Sequence, residues 1–466
     1  MHSIHSTSPK RAHRVVGMAS VALATLTLSI ASAFAAPVFD KPDADFSGRV
    51  WTQGALPGAE ATLMGRGFTP GQKVTLYRGG EALNNGEAYT VTDKGTFEAK
   101  VAIPAEAVPG LHAVVASASN PSAASVFDLK VVNKLPLAGE DRFTVTSQKL
   151  VPGLYQSAYS AKNDRLFVTS AVGRPPVKDS RLLKINPKTL ATEAEVTMAI
   201  VPSRQDGHRY AAYGVDVDDA HNNVWVSNTR DNTVAVYKQS DLKLVKQFDA
   251  GLAPHARDIA IDQKLNKAFV STPGKNTIVV FDTKKLAYAA TISIDSDEDK
   301  SFSTMSLALD ADGHKLYTVS GSTSEAAVID TKTNKVERVI KVPGAKSGAG
   351  IAVDAKGKRL YVVSQGSDNL VIIDLESGKA LHTVPVGQGA LNVTFETKSG
   401  LAYVASRGAG TVTVVDRDGK VVGNLDGGTF PNHITADGRG DSFLINKSRG
   451  ADDEKGDRIT RIVPKQ

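Results

Sequence analysis

The sequence predicts an all-β protein in which a small β-sandwich precedes a larger domain built from repeats. Three observations predict this organisation. Before residue 132, apolar and polar residues alternate in short runs, which is the pattern of half-buried strands. After residue 142, a unit of two strands and a tight turn recurs seven times. The chain of 466 residues also exceeds the roughly 100 to 200 residues of a single domain.

Residues 1–35 have the composition of a secretory signal peptide. Lys10, Arg11 and Arg14 precede an uncharged stretch over 15–31, and 33–35 has the small residues of a cleavage site. A transmembrane anchor is the alternative, but the stretch is rich in Ala, Ser and Thr and ends in that cleavage motif. We expect cleavage near Ala35 and export to the periplasm. Cleavage would lower the formal net charge from +6 to +3, because three basic and no acidic residues are removed.

Composition excludes several kinds of site. The chain has no cysteine, which excludes disulfides, thiolate metal ligands and cysteine nucleophiles. No later segment approaches the roughly 18 to 20 apolar residues that cross a bilayer, so we expect no membrane insertion of the mature chain. The weakly basic charge is by itself a poor argument for nucleic acid as a partner.

Residues 36–132 are predicted to form an immunoglobulin-like β-sandwich. Alternating runs at 73–77 and 96–101 are separated by glycine-containing turns at the short intervals typical of sandwiches. The order of the motifs at 65–71, 93–97 and 109–111 resembles that of bacterial Ig-like modules of surface and periplasmic proteins. The resemblance implies a spacer or a docking module, and a spacer is our first expectation.

The repeat unit is clearest in residues 267–282, and it recurs at 359–374 and 401–416. An aromatic residue marks the second strand of each copy, at intervals of 40 to 58 residues: Phe167, Trp225, Phe269, Tyr317, Tyr361, Tyr403 and Phe443. A short apolar strand precedes each copy and another follows most of them. Four strands per unit at this period are typical of a β-propeller, so seven copies predict seven blades.

The last copy predicts how the ring of blades closes. After the strand at 458–463 only three residues remain, so the seventh blade lacks a fourth strand. Residues 142–147 alternate like a strand and belong to no other blade. We expect them to supply the missing outer strand, which would remove exposed strand edges. Residues 133–141 then form a linker, and 142–466 form the propeller.

Three turn motifs carry a family resemblance in the repeat domain. They lie at 226–234, 271–278 and 364–370, each between the second and third strands of a copy. These repeats resemble the YVTN family of propellers, and 142–466 is similar to YncE-like periplasmic proteins. The resemblance implies the fold strongly and the function weakly. The chain departs from the family pattern in its N-terminal sandwich and in its long turns at 171–179 and 447–457.

The predicted site is the mouth of the central channel, where the inner strands of a propeller converge. Counting about twelve residues back from each aromatic marker gives the residues expected to surround it: Tyr155, Tyr213, Arg257, Met305, Ala349, Leu391 and, with one residue fewer, Asn432. Of these we predict Tyr155, Tyr213, Arg257 and Asn432 as ligand-binding residues, together with the adjacent His433. Their side chains offer stacking and charge-assisted hydrogen bonds to a planar or anionic ligand. The alternative is that mouth side chains only fill the channel.

Basic residues on the outer turns of the same face form a predicted periphery of the site: Arg230, Lys275, Arg407 and Lys447. They favour an anionic ligand, although solvated basic turns are also common. Single-stranded nucleic acid is one such ligand, because tyrosines beside arginines are typical of its binding sites. The expected partners are therefore a small anionic ligand, single-stranded nucleic acid or a protein, bound by a monomer.

The motifs of the common catalytic and cofactor sites are missing from the sequence, so we predict neither catalytic residues, metal ligands nor cofactors. Related propellers include quinoprotein dehydrogenases and sugar lactonases, and Asn392, Asn432 and Asp258 keep a channel metal possible. The sequence therefore predicts a non-catalytic periplasmic binding or scaffold protein. A metal-dependent lactonase-like enzyme, or another propeller hydrolase or oxidoreductase, is the alternative. We expect alanine at both Arg257 and Tyr213 to abolish ligand binding with little loss of stability.

Overall fold

The computed structural model describes residues 41–465, so the predicted signal peptide over 1–35 lies outside the described residues. The described chain is built of β-strands and three short 3-10 helices, which are Asn84–Gly86, Glu140–Arg142 and Thr229–Asp231. No helix within 41–465 is long and apolar enough to cross a membrane. The prediction of an all-β protein is confirmed.

Two antiparallel sheets form the N-terminal module, which we define as residues 41–132. Its strands are β1 (Arg49–Thr52), β2 (Glu60–Arg66), β3 (Lys73–Arg78), β4 (Glu81–Ala82), β5 (Tyr89–Thr90), β6 (Thr96–Ala102), β7 (Gly110–Ser119) and β8 (Ala123–Val131). One sheet has the order β1-β2-β6, and the other has the order β4-β3-β7-β8 with β5 also paired to β3. Leu63, Phe97, Leu76 and Val114 are buried in the core between them, because alternate residues of each strand face inward.

The segment predicted to be a linker, residues 133–141, makes hydrogen bonds to the repeat domain. Ala138 and Asn424 exchange two backbone hydrogen bonds, of 3.0 and 2.9 Å. The side-chain amide of Asn424 also donates to the carbonyls of Leu135 and Pro136. The chain then enters β9 (Phe143–Lys149). Residues 133–141 are therefore a strap against the repeat domain over at least part of their length.

Seven four-stranded antiparallel sheets follow within the described residues, and the first six take their strands in sequence order. Sheets one to three comprise β10 (Leu154–Ser160), β11 (Arg165–Ala171), β12 (Ser180–Ile185) and β13 (Thr192–Thr197); β14 (Ala212–Asp218), β15 (Asn223–Asn228), β16 (Thr233–Lys238) and β17 (Leu244–Gln247); and β18 (Ile259–Asp262), β19 (Lys267–Ser271), β20 (Thr277–Asp282) and β21 (Ala287–Ser293). Sheets four to six comprise β22 (Thr304–Asp310), β23 (Lys315–Ser320), β24 (Glu325–Asp330) and β25 (Lys335–Lys341); β26 (Gly348–Asp354), β27 (Arg359–Ser364), β28 (Asn369–Asp374) and β29 (Ala380–Pro385); and β30 (Ala390–Glu396), β31 (Leu401–Ser406), β32 (Thr411–Val415) and β33 (Val421–Asp426).

Sheet seven takes strands from both ends of the repeat domain. It contains β34 (Pro431–Ala436), β35 (Ser442–Asn446) and β36 (Arg458–Pro464), and its outer strand is β9. β9 is antiparallel to β36, with Val145 opposite Ile462. The predicted pairing is therefore present, although β9 begins one residue after the predicted segment 142–147 and ends two residues beyond it.

The first strands of the seven sheets contact one another in a closed ring, in which β10 touches both β14 and β34. The aromatic markers are buried in the cores between adjacent sheets. Phe167 of sheet one shares a core with Val215 of sheet two, and Trp225 of sheet two shares a core with Ile259 of sheet three. Burial of a large aromatic ring between each pair of sheets explains why the marker recurs in every repeat.

Candidate ligand-binding site

β-Bulges contain six of the seven predicted mouth residues, all except Arg257. The pairing of β10 with β11 shifts between Leu154 and Ser157, and the same kind of shift occurs in five other sheets. The residues within these shifts include Tyr155, Tyr213, Met305, Ala349, Leu391 and Asn432. Because a bulge re-aims a side chain and ends regular pairing, the position found by counting residues coincides with a recurring structural feature.

A cavity of about 280 Å³ lies at this mouth. Its lining residues come from six of the seven sheets: Tyr155, Gln156, Tyr213, Thr229, His255, Arg257, Gln365, Leu391, Asn392, Arg407, Asn432 and His433. All five predicted ligand-binding residues are among them. None of the twelve is acidic. A second cavity of about 360 Å³ shares Asn392 and His433 and follows the channel between the first strands.

Tyr155 and Tyr213 stack on each other rather than presenting open ring faces. Their ring centroids are 3.6 Å apart and their planes differ by 14°. The Lys447 ammonium lies 3.1 Å from the centroid of the Tyr155 ring, and Arg230 Nε donates to the Tyr213 hydroxyl at 3.1 Å. Tyr213 and Lys447 both lie against the Tyr155 ring, so a ligand stacking on that ring would have to displace one of them.

Tyr213 also belongs to a buried cluster. Only 9% of its surface is exposed, and it packs with Ala171, Val177 and Ala211. Large-to-small changes at packed aromatic positions cost stability. Replacing the packed ring of Tyr213 with Ala should therefore cost stability, in contrast to the small loss expected for the combined Arg257 and Tyr213 change.

Arg257 brings a partly buried guanidinium to the mouth cavity. Its Nε is buried and has no hydrogen-bond partner among residues 41–465. Burial lowers the pKa of Arg257, while the neighbouring Asp258 carboxylate opposes that effect. A buried N–H without a partner is costly, so an anion that accepts a hydrogen bond from Nε would stabilise it.

Asn432 and His433 line the cavity and also make hydrogen bonds between sheets. Asn432 accepts a hydrogen bond from Arg407 at 3.0 Å and donates to the Tyr155 carbonyl at 2.6 Å. His433 Nδ1 accepts from the backbone of Ser157 at 3.3 Å. Burial, followed by the charge of Arg257, lowers the pKa of His433 to about 3. His433 is therefore neutral near pH 7, and both residues join sheet seven to sheet one.

Two further cations, Arg407 and Lys447, lie at or beside the mouth cavity. Burial lowers the pKa of Arg407. Burial and the charge of Arg407 lower the pKa of Lys447 to about 7, while Asp457 acts in the opposite direction. Nearby like charges disfavour the protonated form. The mouth is therefore a site where positive charge is in excess and an anion would relieve the repulsion.

The peripheral residues divide into two groups. Arg407 lines the cavity, and Lys447 and Arg230 contact the tyrosines that line it. Lys275 is exposed and does not line the cavity. Gln365 lines the cavity and was missed by sequence reasoning, although it follows Ser364 as Arg407 follows Ser406 in the next repeat. Comparing turn positions across the repeats would have identified it.

The three residues considered for a channel metal are engaged in hydrogen bonds. Asn392 Oδ1 accepts from Ile434 N at 2.9 Å, and Asp258 Oδ2 accepts from Leu307 N at 2.9 Å. Asn432 is hydrogen-bonded to Arg407 and to the Tyr155 carbonyl. Within residues 41–465, no group of three His, Asp or Glu side chains is arranged to hold a metal ion.

A ring of four-stranded sheets around a channel defines a β-propeller. Two solved structures share this fold with the chain. Hydrazine synthase of Kuenenia stuttgartiensis has a TM-score of 0.54 at 16% identity, covering 68% of this chain and 97% of that one. A catalytically inactive virginiamycin B lyase from Staphylococcus aureus, solved with quinupristin, has a TM-score of 0.54 at 12% identity and covers 69% and 99%. At these identities the likeness concerns the fold alone.

Sequence relatives point to one group of propellers. The YncE protein of Salmonella typhimurium is 25% identical over 325 residues, covering 66% of this chain and 86% of the relative. The YncE protein of Escherichia coli O157:H7 is 26% identical over 193 residues, covering 40% and 50%. Both relatives are described as uncharacterized proteins, and no protein-family model matches the chain. Fold and relatives together support a YncE-like β-propeller.

Proposed function

We propose that this chain is an exported, non-catalytic binding protein whose propeller mouth binds an anionic ligand. The observation that carries the proposal is the mouth cavity, which is lined by Arg257 and Arg407 and by no acidic side chain. Lys447 and Arg230 add positive charge beside it. Clefts lined by one sign of charge concentrate ligands of the opposite sign.

The proposal includes the finer architecture. The seven sheets are the seven blades of one propeller spanning 142–466, and the N-terminal module is an Ig-like sandwich spanning 36–132. The count of four-stranded sheets and the two-sheet core of the module support this assignment. Export to the periplasm, with cleavage near Ala35, rests on the composition of residues 1–35.

The ligand group that fits best is a carboxylate or a phosphate. A guanidinium presents a planar fork of donors that matches both groups. Arg257 offers such a fork because its Nε lacks a partner in the described chain. The occupied faces of Tyr155 favour recognition of charge over recognition of a base. Single-stranded nucleic acid is the second candidate, favoured by the arginines beside the tyrosine pair.

A binder accounts for the channel polar groups better than a metal-dependent lactonase does. Asn392 and Asp258 already accept backbone hydrogen bonds from adjacent sheets, and Asn432 bridges Arg407 to Tyr155. A metal at these oxygens would have to share them with their present donors or displace those donors. A scaffold role is compatible with the same surface if the anion is a side chain of a partner protein.

Calorimetry on the mature chain with citrate, inorganic phosphate and an oligothymidylate tests this proposal. We expect Arg257→Met to weaken binding of the preferred anion by about 10- to 100-fold, because a hydrogen bond to a charged group contributes about 1.5–3 kcal/mol. Arg174→Met, at an exposed position on the long turn after β11, is the matched control and should keep the affinity of the unaltered chain. Equal affinities in the two variants would remove the mouth as the site.

A further inference from the structure

The N-terminal module packs against the mouth face of the propeller. Lys130 on β8 extends to the turn between β27 and β28, where its Nζ lies 2.6 Å from Asp368 Oδ1. The same ammonium donates to the Gln365 carbonyl at 2.9 Å. On the adjoining loop, Gln388 donates through its amide to the carbonyl of Gln53. Because Gln365 lines the ligand cavity, the interface and the mouth share a turn.

The Lys130–Asp368 pair is buried. The exposed fractions of the two side chains are 15% and 2%. Asp368 Oδ2 is buried without a partner in the described chain, and burial raises the pKa of Asp368 while the Lys130 ammonium lowers it. Removing one partner of a buried pair leaves an uncompensated charge, which is strongly destabilising. Separation of the module from the propeller would therefore leave Asp368 without its counter-charge.

Residues at the same position in two other repeats show which hydrogen bond Asp368 makes within the propeller. Asn232, Asp368 and Asp457 each precede the third strand of a sheet, with φ angles of 55°, 52° and 52°. Each side chain accepts a backbone hydrogen bond from the loop entering the next sheet. The donors are His255 N at 2.7 Å, Gly389 N at 2.6 Å and Gly153 N at 2.9 Å.

These three donors lie two residues before the mouth residues Arg257, Leu391 and Tyr155. In all three sheets, the turn residue therefore holds the backbone of the loop that leads to the mouth residue. Asn232 performs this role with a neutral amide, so the propeller itself does not require a negative charge at the position. The charge of Asp368 is matched instead by Lys130 of the N-terminal module.

We infer that the N-terminal module is a fixed part of the binding mouth, docked through the Lys130–Asp368 pair, and that Lys130 positions the turn carrying Gln365. This contradicts the expectation of a spacer, because a spacer needs no buried polar contact with the site. The positioning role rests on the proposed anion binding, whereas the docking itself does not.

Docking is tested with full-length mature variants by hydrogen–deuterium exchange and small-angle X-ray scattering. In Lys130→Met we expect amide exchange at residues 129–133 and 365–369 to rise by about tenfold or more, with a larger radius of gyration. Exchange in the inner strands should stay unchanged. Lys134→Met, at an exposed lysine four residues away, is the matched control. Unchanged exchange and scattering in Lys130→Met would overturn the docking.

Asp368→Asn keeps the test decisive if Lys130→Met fails to fold. By analogy with Asn232, this variant retains an acceptor for Gly389 N and loses only the charge, so it should fold and show the same increase in exchange at residues 129–133. The double variant Lys130→Met/Asp368→Asn should be more stable than Lys130→Met, because it contains no unpaired carboxylate. Additive effects of the two changes would overturn the role of the pair.

Affinity for citrate or phosphate tests the positioning role of Lys130 separately from the docking of the module. We expect Lys130→Met to weaken binding by about three- to tenfold, because the Gln365 turn loses its support. Unchanged affinity in an undocked variant would overturn the positioning role. If the unaltered chain binds no anion, the proposed function fails while the exchange measurement still decides the docking.

Discussion

At the scale of single residues, cations from separate repeats meet at the mouth. Arg257, Arg407 and Lys447 come from the third, sixth and seventh sheets, and each has its pKa lowered by burial. Positive groups held close together repel one another, and a bound anion relieves that repulsion. Of the three, Lys447 changes charge near pH 7, which makes it the residue whose contribution can be followed by titration.

We predict that affinity for the anion falls as pH rises through about 7, because Lys447 loses its proton there. The sign follows from the lowered pKa: the lysine is cationic below that value and neutral above it, and only the cation attracts the ligand. Calorimetry between pH 6 and about pH 8 measures this change.

Lys447→Met should bind more weakly at the acidic end and lose the pH dependence. Lys275→Met alters an exposed lysine outside the cavity, so it should retain the full pH dependence. A pH profile that is the same in Lys447→Met and in the unaltered chain would show that another group titrates.

We predict that Tyr213→Ala lowers the free energy of unfolding by about 3–5 kcal/mol, because it leaves a cavity in a buried aromatic cluster. Tyr213→Phe keeps the stack with Tyr155 and loses only the hydrogen bond from Arg230. Its expected cost is about 0.5–1.5 kcal/mol. Urea denaturation measures both changes. Equal, small losses would mean that the ring is dispensable to the fold.

At the scale of elements, polar side chains connect the first strands of adjacent sheets. Five of them accept a backbone hydrogen bond from the next sheet in the ring: Gln156 from Val215, Asp216 from Ile261, Asp258 from Leu307, Asn392 from Ile434 and His433 from Ser157. First strands of neighbouring sheets do not pair in a common ladder. These bonds therefore satisfy buried N–H groups that would otherwise lack partners.

We predict that Asn392→Ala lowers the free energy of unfolding by about 1–3 kcal/mol, because the N–H of Ile434 would be left buried without an acceptor. Thr394→Ala is the control. Thr394 lies two residues along the same strand and lines the same channel, and its replacement should cost clearly less. Chemical denaturation measures both variants, and a loss no larger than that of Thr394→Ala would show that the bond contributes nothing.

At the scale of the whole molecule, the ring of sheets is closed by strands from opposite ends of the repeat domain. β9 and β36 pair over seven residues each, with Val145 opposite Ile462. Ile462 is buried in the core that also contains Phe143. Closure of this kind joins the first and last sheets and covers the edge of β36 that would otherwise be free.

We predict that Thr146→Pro lowers the free energy of unfolding by about 1–3 kcal/mol and promotes self-association, because Thr146 lies opposite Arg461 in a hydrogen-bonded pair and proline there removes a ladder bond to β36. Thr146→Ala is the matched control, since this side chain is exposed and its removal should have a small effect. Thermal unfolding and size-exclusion chromatography measure the two outcomes. Identical behaviour of the proline and alanine variants would contradict a structural role for the closure.

The sequence by itself determined the all-β class, the repeat length, the pairing of β9 with the last repeat and the position of the mouth residues. These features depend on alternation, turns and recurring aromatics, which are properties of short stretches of chain. Only the tertiary structure decided that Tyr155 and Tyr213 stack on each other and that Gln365 lines the cavity. It also decided that Lys130 meets Asp368, 238 residues along the chain. Such contacts depend on how separately folded surfaces fit together, which no local pattern of residues specifies.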